Sequence, residues 1–67
     1  KIKIKINGKL SVINDDLSLL SYLIKLKIPL KNVAIELNQE IIDKNKLKKI
    51  KLKKDDKIEI VHFIGGG

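Results

Sequence analysis

The sequence predicts an α+β fold: a mixed sheet of four to five strands with one main helix packed on one face. Three observations predict it. The chain opens on a strict alternation, KIKIKI, followed at once by Asn7-Gly8. One stretch, from Leu17 to about Lys27, carries apolar residues at helical spacing and stops before Pro29. A second alternating run, Lys57 to Phe63, lies just before the end. A period of two belongs to strands with one face buried, and a period near 3.6 to an amphipathic helix.

In the first strand Ile2, Ile4 and Ile6 face a core, and Lys1, Lys3 and Lys5 face water. Asn-Gly is the strongest short hairpin signal, because both residues accept positive φ. The return strand is then Lys9 to Ile13. Asn14, Asp15 and Asp16 offer oxygens to cap a helix. Leu17, Leu20, Leu23 and Ile24, with Ile28 at the margin, form the helix stripe. Pro29 ends the helix, since the residue before a proline avoids the α region. V-A-I-E-L, residues 33 to 37, is the third strand; Asn38-Gln39 is a turn, and Glu40 to Ile42 a short fourth strand. Asp43 to Ile50 reads as a loop or a single helical turn, with Leu52 tucked under the domain. Lys54-Asp55-Asp56 is a turn into the last strand. Pairing the first and last strands in parallel at the sheet centre gives the β-grasp arrangement, which the periodicity permits but does not force. The expected division is a β-grasp domain over residues 1–64 and a flexible C-terminal glycine tail over 65–67.

Composition narrows the function. The chain has 67 residues, enough for one domain, and no cysteine, so neither disulfides nor thiolate chemistry are available. That absence fits a reducing cytoplasm, the expected location. No apolar run approaches the roughly 18 residues of a membrane span, and no signal-peptide pattern opens the chain. Methionine is absent, so an initiator residue is expected to have been removed or to lie outside the numbering. The formal charge is +7, and every one of the 15 basic residues is lysine. Arginine is the usual reader of phosphate and guanine, and only Tyr22 and Phe63 are aromatic, so a nucleic-acid partner is not expected. The charge suits a solvated surface or docking onto acidic protein partners.

No catalytic constellation is visible. His62 is the single histidine and reads as structural or solvated; a metal site is not expected. Asp15-Asp16 and Asp55-Asp56 read as cap and turn residues. The lysines from Lys44 to Lys54 read as a solvated face, or else as a docking surface for an acidic partner. In the last strand Ile58, Ile60, His62 and Ile64 share one face. Val61 and Phe63 share the other with Lys57 and Glu59, which makes them candidates for an exposed docking patch. The tail Gly65-Gly66-Gly67 has no side chains, so it is thin enough to thread a narrow channel. Alone, such a triplet also fits a linker or a cloning remnant.

The segment VAIELNQEIIDKNKLKKIKLKKDDKIEIVHFIGGG, and IEIVHFIGGG above all, resembles the thiamine-biosynthesis sulfur carrier family, ThiS, over essentially the whole chain. Two turns depart from the family pattern, with Gln39 and Asp55 where glycine is common. The resemblance implies that the working group is the carboxylate of Gly67, with Gly65 and Gly66 threading into partners. An adenylating enzyme, using ATP and magnesium, would activate that carboxylate. A sulfur donor, a cysteine desulfurase or similar, would convert it to a thiocarboxylate, and thiazole synthase would take the sulfur. The protein itself binds no cofactor and is not an enzyme in that scheme. The small subunit of molybdopterin synthase, a basic RNA-binding β-grasp module and a lysine-conjugating modifier are the competing readings.

Overall fold

The computed structural model describes residues 1–62. Five strands and two helical segments follow in the order β1 (Ile2–Ile6), β2 (Lys9–Ile13), α1 (Leu19–Lys25), β3 (Val33–Leu37), β4 (Glu40–Ile42), a 3-10 helix (Lys44–Lys49) and β5 (Lys57–His62). The strands form one sheet in the order β2-β1-β5-β3-β4. β1 and β5 run parallel, with Lys5 beside Lys57 and Ile6 beside Ile58; the other pairs are antiparallel. This is the β-grasp arrangement, and the central parallel pair is what the periodicity left undecided.

The alternation maps directly onto burial. Ile4, Ile58, Ile60, Val33 and Ile35 point to one face and are buried there with Ile13. Leu19, Tyr22 and Leu23 of α1 close over them, with Leu47 from the 3-10 helix and Leu52 beyond it. Leu52 therefore sits under the domain as expected. Fully burying a side chain of this kind stabilises by about 1.5–3 kcal/mol, so a small domain depends on nearly every one of them.

The helix differs from the expected one in four respects. It spans Leu19–Lys25, shorter at both ends. Its N-cap is Ser18, whose Oγ accepts from the Ser21 N–H at 3.1 Å, not Asn14, Asp15 or Asp16. Those three occupy the turn after β2, where the Leu17 N–H donates to the Asn14 carbonyl. Its end precedes Pro29: Lys27 takes φ 60°, and the N–H groups of Lys27 and Ile28 donate to the carbonyls of Ile24 and Leu23. That pair of bonds is a Schellman motif, which stops a helix without proline. Finally, Ile24 is 62% exposed and Tyr22 is buried in its place. Leu19, Tyr22 and Leu23 set the phase of the buried stripe, and Ile24 lies well off it at 100° per residue. The Asp43–Ile50 stretch also has more structure than a single turn, a six-residue 3-10 helix anchored by Leu47.

Both hairpin turns have two consecutive residues at positive φ: Asn7 49° and Gly8 82°, then Asn38 53° and Gln39 71°. This is the primed turn that matches strand twist. Asp55 also sits at φ 68°. Gln39 and Asp55 thus hold left-handed backbone without glycine, at a cost of about 1–2 kcal/mol each.

Candidate functional site

The candidate site is the central strand that leads into the C-terminal segment. β5 lies at the centre of the sheet, with β1 on one side and β3 on the other. Two asparagine side chains from the hairpin turns hold it further. The Ile60 N–H donates to Asn7 Oδ1 at 2.8 Å. That bond takes over where the pairing with β1 stops, because β1 reaches only as far as Ile58. At the start of β5, the Lys57 N–H donates to Asn38 Oδ1 at 2.9 Å. Asn38 Nδ2 in turn donates to Asp56 Oδ1 at 3.0 Å, and the Lys53 N–H donates to Asp56 Oδ2 at 2.7 Å. Asp56 is 8% exposed, and both its carboxylate oxygens are satisfied. A buried charge is tolerated only when hydrogen-bonded in this way.

Asn7, Asn38 and Asp56 were missed as positioning residues by sequence reasoning, which assigned them to turns alone. The available signal was that an asparagine opens each of the two primed turns flanking β5. What sequence could not supply was the neighbour: Asn7 and Ile60 are 53 residues apart.

Val61 is 44% exposed on the outer sheet face, opposite Ala34, as its alternation with Lys57 and Glu59 predicts. His62 is exposed and pairs with Val33 in register. Phe63, Gly65, Gly66 and Gly67 lie outside the described residues. Among the described residues no group of three His, Cys, Asp or Glu side chains could hold a metal ion. No buried side-chain nitrogen or oxygen among them is left without a hydrogen-bond partner, so none calls for a ligand. Among them, too, no helix is long and apolar enough to cross a membrane. The lysines from Lys44 to Lys54 are all exposed, on and after the 3-10 helix that packs against α1. A groove of about 420 Å³ lies between β2 and α1, lined by Ser11, Tyr22, Lys25 and Leu26 among others. It lies at the sheet edge, two strands away from β5.

The model of the ThiS family matches residues 4–67, nearly the full chain and including the terminal glycines. The chain belongs to the ThiS family. The sulfur carrier protein ThiS of Bacillus subtilis is 47% identical over 49 residues, covering 73% of this chain and 68% of that one. The crystal structure of the thiamine biosynthesis protein ThiS from Geobacter metallireducens superposes with a TM-score of 0.85 at 29% identity, covering 98% of this chain and 100% of that one. A thiazole synthase from Magnetococcus marinus is 35% identical over 66 residues. That match covers 98% of this chain but only 20% of the synthase, so this ThiS-family chain spans about a fifth of the length of that relative.

Proposed function

We propose that this ThiS-family chain delivers sulfur to thiazole synthase through the carboxylate of Gly67. The observation that carries the reading is the pairing of a rigidly held central strand with a side-chain-free end. β5 is fixed by two strands and two asparagines, and the sequence after it reaches Gly65-Gly66-Gly67 within three residues of His62. In this reading residues 1–64 are the folded body and 65–67 the flexible tail that threads into partners. Val61 and Phe63 form the docking patch beside it.

The chemistry follows from the reactivity of a carboxylate. Its oxygens are poor leaving groups, so acyl transfer requires activation. An adenylating enzyme with ATP and magnesium joins the Gly67 carboxylate to AMP and releases pyrophosphate. A persulfide from a cysteine desulfurase or similar donor attacks the acyl carbon and expels AMP. A second thiol then cleaves the acyl disulfide, leaving the thiocarboxylate and a disulfide. The thiocarboxylate is a soft, ionised nucleophile, so no base on this protein is needed. Glycines admit the tail to a narrow channel because they lack Cβ atoms and accept backbone angles closed to other residues. The reaction belongs to the cytoplasm, and neither nucleic acid nor membrane takes part in it. The likeness to a segment of thiazole synthases supports thiazole formation over molybdopterin synthesis as the destination.

Intact mass spectrometry tests the proposal. After incubation with the adenylating enzyme, ATP and a sulfur source, the protein gains about 16 mass units as sulfur replaces oxygen. An unchanged mass, or the same gain in a variant lacking Gly67, rejects it.

A further inference from the structure

The two edges of the sheet are finished differently. β4 is three residues long, opens on Glu40, and gives way to the 3-10 helix at Lys44. β2 offers five residues, Lys9–Ile13, with no proline among them. Proteins usually blunt such an edge with charge, proline or a covering element, because its unpaired backbone groups accept another strand.

The hydrogen bonding shows which groups are free. On and just after β1, the Lys5 and Asn7 N–H groups donate to the carbonyls of Asp56 and Ile58, and the Lys3 carbonyl accepts from the Asp55 N–H. These residues therefore turn toward β5. Ile4 and Ile6 turn the other way, toward their partners Ser11 and Lys9. In an antiparallel pair, bonded and non-bonded positions alternate. Leu10 and Val12 are the non-bonded positions, so their N–H and C=O groups point off the edge. β2 is the outermost strand, and no described residue bonds to them there.

Beside this edge, on the helix side, lies the groove of about 420 Å³. Tyr22, Lys25 and Leu26 line it from the helix, and Lys1, Ser11 and Val12 from the sheet. No carboxylate is among its lining residues; Asp15 and Asp16 lie beyond it, in the turn after β2. Tyr22 is buried, and its hydroxyl donates to Ser11 Oγ at 3.1 Å. That leaves the Ser11 hydroxyl proton free to donate into the groove. The groove thus presents donors and positive charge next to an open strand edge.

We infer that β2 accepts an extended acidic segment of a partner protein as a sixth strand. The partner backbone pairs with the N–H and C=O groups of Leu10 and Val12. Alternate side chains of an added strand point to the helix side. Carboxylates there meet Lys1 and Lys25, and an apolar residue between them lies against Leu26. Main-chain bonds supply affinity in this mode, and the alternate side chains supply specificity. A second copy of this chain is the wrong occupant, because it would bring the same lysines to the same groove on a chain of formal charge +7. β1 separates β2 from β5, so a partner held here leaves the end of the chain free to react. The inference stands apart from the carrier reading.

The test is an NMR titration of the full chain, with amide hydrogen exchange, using the peptide acetyl-Thr-Glu-Thr-Val-Thr-Glu-Thr-amide. Its two glutamates and its valine fall on one side of an extended strand. The Leu10 and Val12 amides should exchange freely in the protein alone and become protected in the complex. Val12→Pro removes a free donor without removing a bond within the sheet. It should weaken binding by about tenfold. Lys25→Glu leaves the edge intact and should also weaken binding by about tenfold. The same peptide with lysine in place of glutamate should not bind. Absence of binding, or binding that leaves both amides unprotected, overturns the added strand. Equal affinity for the lysine peptide, or no loss in Lys25→Glu, overturns the acidic partner. Protection of both amides in the protein alone, rising with its concentration, assigns the edge to a second copy and overturns the inference. Deleting Gly67 should change none of these readouts, so their failure leaves the carrier reading standing.

Discussion

The two faces of the sheet obey different rules. The inner face is apolar at its centre, where the buried residues form one core with the helix layer; it turns polar at Ser11, which accepts from the Tyr22 hydroxyl, and at its margins with Lys9, Glu40 and His62. The outer face interleaves exposed apolar groups with charges, and sets like beside like at Lys5–Lys57 and Glu36–Glu59. One face minimises the free energy of the isolated domain; the other does not. In a domain this small the stability margin is a few kcal/mol.

The comparison breaks first at the core. Leu23→Ala should lose about 2–5 kcal/mol in urea denaturation, since the side chain is fully buried under the sheet. Val61→Ala on the outer face should change stability by less than about 1 kcal/mol. Equal losses for the two would abolish the distinction between the faces. Next comes the polar lock below β5. Asp56→Ala leaves Asn38 Nδ2 and the Lys53 N–H without their acceptor and should cost about 1–3 kcal/mol. A thermal melt identical to wild type would show that the lock contributes nothing. Gln39→Gly should act in the opposite direction. It relieves a left-handed residue at φ 71° and, net of the added chain entropy of the unfolded state, should raise stability by about 0.5–1 kcal/mol in urea denaturation. The smallest effect is the most pointed. Glu36→Gln should stabilise the domain by about 0.2–0.5 kcal/mol through relief of repulsion with Glu59. A measurable loss instead would make that pair part of the fold and not of its surface chemistry.

Much of the fold was legible in short-range pattern. KIKIKI with Asn7-Gly8, and the alternation from Lys57, placed β1, β2 and the start of β5 within a residue, because a period of two is local. The helix was legible as an element but not in its ends or phase. Ser18 and Lys27 won over the aspartates and Pro29 because caps depend on which carbonyls the chain's path leaves free. Tyr22 displaced Ile24 because the sheet beneath decides which stripe is covered, and two overlapping stripes were present. Within the candidate site, the exposure of Val61 followed from alternation. The roles of Asn7, Asn38 and Asp56 did not, since each depends on a partner brought close only by the fold.

The sequence by itself determined the element types, the inward set of isoleucines and valines, and a glycine end preceded by a strand, because these depend on residue chemistry and local period. The tertiary structure alone decided that β1 and β5 lie side by side and parallel, and hence that Lys5 meets Lys57. It also decided that Glu36 meets Glu59, and that turn asparagines close hydrogen bonds onto the central strand. Register between strands distant along the chain is fixed by packing the whole inner face at once, and no local window contains that information.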